Sequence, residues 1–296
     1  GRSTRGVDVT FTSADAGTAI DVWGFTDTFS VINAIVGSRR DDILRGADGD
    51  QDLDGGAGND QLFGGAGFDR LHGRAGDDLL DGGADFDEAR WDRETGSGGV
   101  VADLNTGTAT DTHGDTDTLV NIEALIGSAN NDTLTGDGDD NWLDGSLGDD
   151  TLNGGGGDDG LRGDEGNDTL NGGDGDDIAD YAFGGSQGIV VELAAGTATD
   201  DYGFTDTLNS IEGVVGSDQD DTISGDGNDN DLQGRGGNDT LRGSAGFNDL
   251  RGGPGNDTLI GGSGQDEAEY RSNGNGQGAV VNLATGTATD TFGDTD

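Results

Sequence analysis

The sequence predicts an all-β protein, a right-handed parallel β-solenoid (a β-roll or β-helix) built from three tandem repeats of about 90 residues. Residues 127–180 divide without remainder into six nonapeptides: GSANNDTLT, GDGDDNWLD, GSLGDDTLN, GGGGDDGLR, GDEGNDTLN and GGDGDDIAD. Each opens on Gly, carries Asp or Asn at its sixth position and places an aliphatic residue at its eighth. Equivalent blocks stand at 37–90 and 216–269, and the string GTA returns at Gly17, Gly107, Gly196 and Gly286, at intervals of 90, 89 and 90 residues. A short period nested in a long one is the mark of stacked structural units.

The long period divides into a head and a block. Heads occupy 1–36, 91–126 and 181–215, blocks 37–90, 127–180 and 216–269, and a partial fourth head 270–296. A nonapeptide is half a coil, so a coil takes about 18 residues and the long period about five coils. Within the heads, the alternation in VVADL and the β-branched residues of GTATD read as strands, and DxxGxTD as a turn. The expected arrangement is a near-continuous solenoid, with a small hairpin domain between rolls as the alternative. At ~4.8 Å per stacked strand, roughly sixteen coils would make a rod on the order of 80 Å long. The chain opens at Gly1 without Met and stops at Asp296, the counterpart of Asp27, Asp117 and Asp206, so a piece of a longer tandem array is expected.

Composition says what must hold such a chain together. With 62 Gly, 29% hydrophobic residues and a net charge of −47, it buries too little apolar surface to offset backbone ordering entropy. Bound metal is the expected supplier of stability; about 24 divalent cations would neutralise the 47 net negative charges. No apolar run approaches the ~20 residues that span a bilayer. All 14 basic residues are arginines, and so acidic a surface repels nucleic acid and anionic lipid. Cysteine is absent, which fits rigidity taken from metal rather than disulfides.

The residue types name the metal. Glycines at φ > 0 let a loop turn its carbonyl oxygens inward, and the sixth-position Asp adds a carboxylate. Calcium takes six to eight hard oxygens of these two kinds. Successive nonapeptides lie on opposite sides of the coil, so loop n stacks on loop n+2 and an ion sits between them. Six nonapeptides allow about four such pairs per block. Without calcium the close carboxylates repel, and disorder is expected.

GGAGNDQLF, GGAGFDRLH, GDEGNDTLN and GGPGNDTLI resemble the RTX, or haemolysin-type calcium-binding, repeats of secreted bacterial proteins. The heads, with TDTLVNIEALIGS and TDTLNSIEGVVGS, are similar to segments between RTX blocks in large repetitive members of that family. The resemblance implies calcium carboxylates at Asp42, Asp60, Asp69, Asp78 and Asp87, then Asp132, Asp150, Asp159, Asp168 and Asp177, then Asp221, Asp239, Asp257 and Asp266. Gln51, Asn141, Asn230 and Asn248 stand where Asp is expected, which predicts weaker or differently built sites. GSRRDD and GSANND lack the fourth-position Gly, which predicts half-formed loops where blocks begin.

Trp91, Tyr181 and Tyr270 follow the blocks at equivalent places and are expected to plug the interior. Trp23, His113, Tyr202 and Phe292 occupy one equivalent turn in the heads; local packing is expected there, with lateral contacts to another copy or a matrix glycan as the alternative. No enzyme is expected: His72 and His113 are unrelated by the repeat, and GxSxG, HExxH and GK[ST] are absent. The first functional reading is a calcium-stiffened segment of a secreted or cell-surface adhesin, surface-layer protein or fibre. The second is a non-catalytic accessory domain of a type I-secreted protease, lipase or alginate epimerase. The third is a calcium-dependent glycan-binding module, for which aromatic platforms are sparse.

Overall fold

The computed structural model describes residues 6–182 and 184–270, and the backbone of 280–282 and 287–289. Two compact units partition the chain, Gly1–Gly156 and Gly157–Asp296. Among the described residues both are all-β, apart from one 3-10 turn at Leu193–Ala195. The fold is a parallel β-solenoid.

In the first unit, one wall stacks Ile43–Arg45, Gln61–Ala66 and Leu79–Ala84, and the other stacks Ala34–Val36, Asp52–Ala57, Arg70–Ala75 and Glu88–Arg90, all parallel. The register is the nonapeptide arithmetic made physical. Leu44 faces Leu62 and Leu62 faces Leu80 on one wall, while Leu53 faces Leu71 on the other. Eighth-position side chains point inward and their neighbours outward, as the strand period of two requires. Leu44, Leu53, Leu62, Leu71, Leu80 and Ala89 are all fully buried. One aliphatic column from each wall makes the core.

The head at 91–126 combines both expected arrangements. On one wall Ala124–Ile126 pairs in parallel with Glu88–Arg90 before it and Trp142–Asp144 after it, so that ladder runs on without interruption. On the other wall Val101–Asp103, Thr108–Thr110 and Thr116–Val120 form an antiparallel meander. Its outer strands splice in parallel onto Thr133–Thr135 and Leu79–Ala84. Short turns suffice for antiparallel neighbours, so the head adds strands to one wall without a crossover.

The second unit repeats the scheme. Gly213–Val215 continues one wall between Ile178–Asp180 and Asn230–Gln233. The meander Val190–Glu192, Thr197–Thr199, Thr205–Asn209 splices onto Thr222–Ser224 and Thr169–Asp174. Further on, Thr240–Gly246 and Thr258–Gly264 carry one wall and Asn248–Arg251 the other. In the partial fourth head, Val280–Asn282 and Thr287–Thr289 pair antiparallel; Phe292 and Asp296 lie outside the described residues.

So thin a core makes each inward leucine matter. Leu71→Ala is expected to lower the unfolding free energy in saturating calcium by about 2–5 kcal/mol, and Leu147→Ala, at an exposed position, by no more than about 0.5 kcal/mol. Chemical denaturation of the two variants checks the difference.

Candidate metal centre

The turns between strands carry the sixth-position residues, and stacking sets one over another every 18 residues. The backbone N–H of Asp42 donates to Asp60 Oδ1 at 2.7 Å, that of Gln51 to Asp69 at 2.8 Å, that of Asp60 to Asp78 at 2.7 Å and that of Asp69 to Asp87 at 2.8 Å. The same rung joins Asp132 to Asp150 at 2.7 Å, and Asp159 to Asp177, Asp221 to Asp239 and Asp239 to Asp257 at 2.9 Å. One oxygen of each accepting carboxylate is thus fixed by the neighbouring coil.

The other oxygen is left over. Oδ2 of Asp60, Asp69, Asp78, Asp87, Asp177 and Asp239 is buried and accepts no hydrogen bond. Such an atom costs on the order of 1–3 kcal/mol, more when charged. It faces the first glycine of its own nonapeptide, and at Asp69, Asp87, Asp177 and Asp239 a carbonyl of the neighbouring coil faces the same spot. A Cβ on Gly64 would stand 2.4 Å from Asp69 Oδ2 and 2.5 Å from the Gly82 carbonyl oxygen. Only glycine leaves room for that approach. At the loop's fourth position Gly67 has φ +112°, a backbone conformation that side chains disfavour. Carboxylate and carbonyl oxygens converge without nitrogen or sulfur, a donor set that fits calcium.

Burial, reinforced by neighbouring carboxylates and opposed by the rung hydrogen bonds, pushes these groups far above the ordinary aspartate value. Asp60 and Asp87 rise to about 7, Asp69 to about 6, and Asp78 and Asp239 to about 8.

The fourteen aspartates singled out from the sequence do not all share this geometry. Asp150, Asp159, Asp168 and Asp257 are buried at the same motif position. Asp42, Asp132 and Asp221 have both oxygens engaged. Oδ1 of each accepts the N–H of Val7 (2.6 Å), Val100 (2.6 Å) or Ile189 (2.8 Å), and the following head-to-block seam is closed by Ser38, Ser128 or Ser217. They tie the first strand of each head to its block. Asp266 is exposed and accepts the Asn248 amide at 2.8 Å.

The amide positions close on themselves. Gln51 Oε1 accepts the Ala47 N–H at 3.0 Å, and its Nε2 donates to the Gly49 carbonyl. Asn141 and Asn230 accept the N–H groups of Asp137 and Asp226 at 2.7 and 3.0 Å and donate to the carbonyls of Glu123 and Glu212. Each amide thus satisfies both its oxygen and its N–H within the protein.

Four ladder residues escaped sequence reasoning. Where the block ends, the Asp78 N–H donates to Asp117 at 3.1 Å and the Asp168 N–H to Asp206 at 3.0 Å. Glu123 and Glu212 receive the N–H groups of Asp87 and Asp177 at 2.9 and 3.1 Å. The repeated TDTLVNIE and TDTLNSIE carry these residues, and that repetition was the available signal. Trp91 and Tyr181 fill the interior beside them and donate to Asp117 Oδ2 at 3.4 Å and Asp206 Oδ2 at 3.1 Å. The turn residues differ among themselves: Trp23 is exposed, His113 partly so, and Tyr202 packs against Gly184. His72, at a position that usually faces solvent, is buried between Asp52 (3.4 Å) and Asp92 (3.8 Å).

The profile of the RTX calcium-binding nonapeptide repeat matches residues 30–62, 54–89, 126–161, 154–186, 214–241 and 233–268, more than half of the chain. The chain belongs to the RTX repeat family. It is a calcium-binding repeat protein, and its matched segments are the loops whose carboxylates stack. Among curated proteins none matches this RTX chain.

The raised carboxylates fix how the metal-free RTX fold responds to pH. An aspartate whose folded pKa lies above its unfolded value of 3.8 destabilises the fold on ionising. Metal-free stability is therefore fullest below about pH 4 and is lost as pH climbs from there through about 6 to 8. Circular dichroism of the chelator-treated chain is expected to show β-structure at the acid end and its loss at neutral pH. The reverse order would contradict the assignment.

Proposed function

We propose that the chain is a calcium-stiffened extracellular segment, of the kind that builds an adhesin, surface layer or fibre. The observation that carries this reading is the stack of buried aspartates whose second oxygen accepts nothing, above all Asp60, Asp69, Asp78 and Asp87. Packing alone leaves those oxygens without a partner, and a divalent cation supplies one.

Calcium ligation falls to Asp60, Asp69, Asp78, Asp87, Asp150, Asp159, Asp168, Asp177, Asp239 and Asp257, together with loop carbonyls. Asp42, Asp132 and Asp221 hold the seams between heads and blocks, and Asp266 stands at an exposed end. Domain organisation follows the same logic. Blocks 37–90, 127–180 and 216–269 collect the ions, and the heads between them carry the ladders onward through Asp117, Asp206, Glu123 and Glu212.

The physical consequence is a switch. Calcium binds the stacked loops and not the unfolded chain, so the folded population follows its concentration by mass action. A chain of this kind stays unfolded where calcium is scarce and folds after export, where it is plentiful. Its 90-residue period then makes length without a large apolar core, which suits a structural segment.

Far-UV circular dichroism with sedimentation velocity, in calcium and then in excess chelator, tests the reading. The expected result is a coil-to-β transition on calcium addition, with ordered assemblies forming alongside it. A spectrum indifferent to calcium at neutral pH removes the calcium switch, and a folded monomer at all concentrations removes the assembly. Single substitutions separate ligands from seams. Asp69→Asn is expected to reduce the calcium bound per chain by at least one ion in equilibrium dialysis. Asp132→Asn is expected to leave the count unchanged while lowering thermal stability.

A further inference from the structure

A second set of donors lies in the first unit, away from the nonapeptide loops, where the meander of head 91–126 turns. Glu94, Asp111 and His113 each bring one ligand atom within 4.8 Å of the others. His113 Nδ1 is 3.4 Å from Asp111 Oδ2 and 3.7 Å from Glu94 Oε2. Thr112 Oγ1 stands beside the ring at 3.4 Å.

Both carboxylate side chains are fully buried, and each is pinned by one oxygen. Asp111 Oδ1 accepts the N–H groups of His113 and Asp115 at 2.9 and 2.8 Å. Glu94 Oε2 accepts the Thr112 N–H at 3.2 Å and its hydroxyl at 2.5 Å. Asp111 Oδ2 and Glu94 Oε1 are buried and accept no hydrogen bond. The site is built and held, yet two of its oxygens have nothing to bind.

A route from solvent exists. Glu94 and His113 line a cavity of about 370 Å³, with Asp54, Arg74 and Arg93 on its other sides. Arg74 is tied to Asp54 at 2.7 Å and Arg93 to Asp52 at 3.0 Å, so neither guanidinium is left to neutralise the pair of buried carboxylates.

The donor types differ from those of the nonapeptide loops. Calcium prefers an all-oxygen set, whereas an imidazole nitrogen beside carboxylates suits zinc, cobalt or nickel. Four-coordinate zinc with bonds of about 2.1 Å spaces its donors about 3.4 Å apart, close to the 3.4 and 3.7 Å that separate the His113 nitrogen from the two carboxylates. We propose that Glu94, Asp111 and His113 form a site for a borderline divalent cation of the zinc type, separate from the calcium-binding loops.

The ion would clamp the segment entering the head, through Glu94, to the turn at 111–115. The next head makes the same junction differently. Asp200 keeps the turn, accepting the N–H groups of Tyr202, Gly203 and Phe204 at 3.1, 2.6 and 2.7 Å. Tyr202 replaces the histidine and packs on Gly184, where an added Cβ would meet its hydroxyl at 2.5 Å. One head closes the junction with a ring, the other with ligands.

The full chain in a large excess of calcium is the material for the test, so that the nonapeptide loops are already filled. Cobalt is titrated with its visible absorption as the readout, and zinc by calorimetry. The expected result is one equivalent taken up in calcium, with affinity at least about tenfold weaker in His113→Tyr and in Glu94→Gln. Calcium content and the circular dichroism of both variants are expected to match the parent chain. No uptake in excess calcium overturns the proposal, and so does uptake that His113→Tyr leaves unchanged. Should a variant fail to fold, the imidazole ¹⁵N resonances of the parent chain decide. Zinc must shift those of His113 and spare those of His72; an unmoved His113 refutes the site.

Discussion

A buried carboxylate with one oxygen hydrogen-bonded to the next coil and the other facing a carbonyl is the interaction on which this protein depends. It is drawn in full at Asp69 and Asp87, one coil apart. Without a cation it is repulsive, because burial and neighbouring carboxylates penalise every charge it holds. With one, the same atoms become a ligand set. The leucine columns give the coils their register, but a core of one aliphatic residue per half-turn leaves the carboxylates to decide whether the coils stack.

The heads are part of that ladder. Asp117 and Asp206 take the rung after the last loop on one side, and Glu123 and Glu212 take it on the other. Trp91 and Tyr181 then fill the space the loops vacate and each donates to the aspartate beside it. A head thus ends one block and begins the next, with Asp132 and Asp221 fastening the new block to the strand that precedes it. The meander costs the solenoid nothing in pairing, since its outer strands still meet parallel neighbours.

Much of this was legible in the sequence because the nonapeptide is a strict code. A residue eight places into each motif had to point inward, and Leu44 through Ala89 do so without exception in the first block. The sixth-position aspartates were legible as a set but not as individuals. Asp42 and Asp69 look alike at the sixth position, but the Ser38 N–H spends the second oxygen of Asp42 while that of Asp69 is left over. The heads were harder still. In a chain with 61 acidic residues, nothing local distinguishes a buried Asp117 from an exposed Asp27, because the difference is whether a block is packed against it. His72 was opaque for the same reason: the carboxylates that flank its buried ring, Asp52 and Asp92, are distant in sequence and indifferent to the repeat.

Hydrogen exchange at the rung amides, those of Asp42, Gln51, Asp60, Asp69 and Asp78, tests the central claim most directly. Each is a reporter of one coil resting on the carboxylate of another. In calcium at neutral pH they are predicted to exchange slowly, and on chelation to lose protection together, as one cooperative block. Protection that survives chelation unchanged would show that the carboxylate ladder holds without a cation, and would contradict calcium's role as the partner of the buried oxygens.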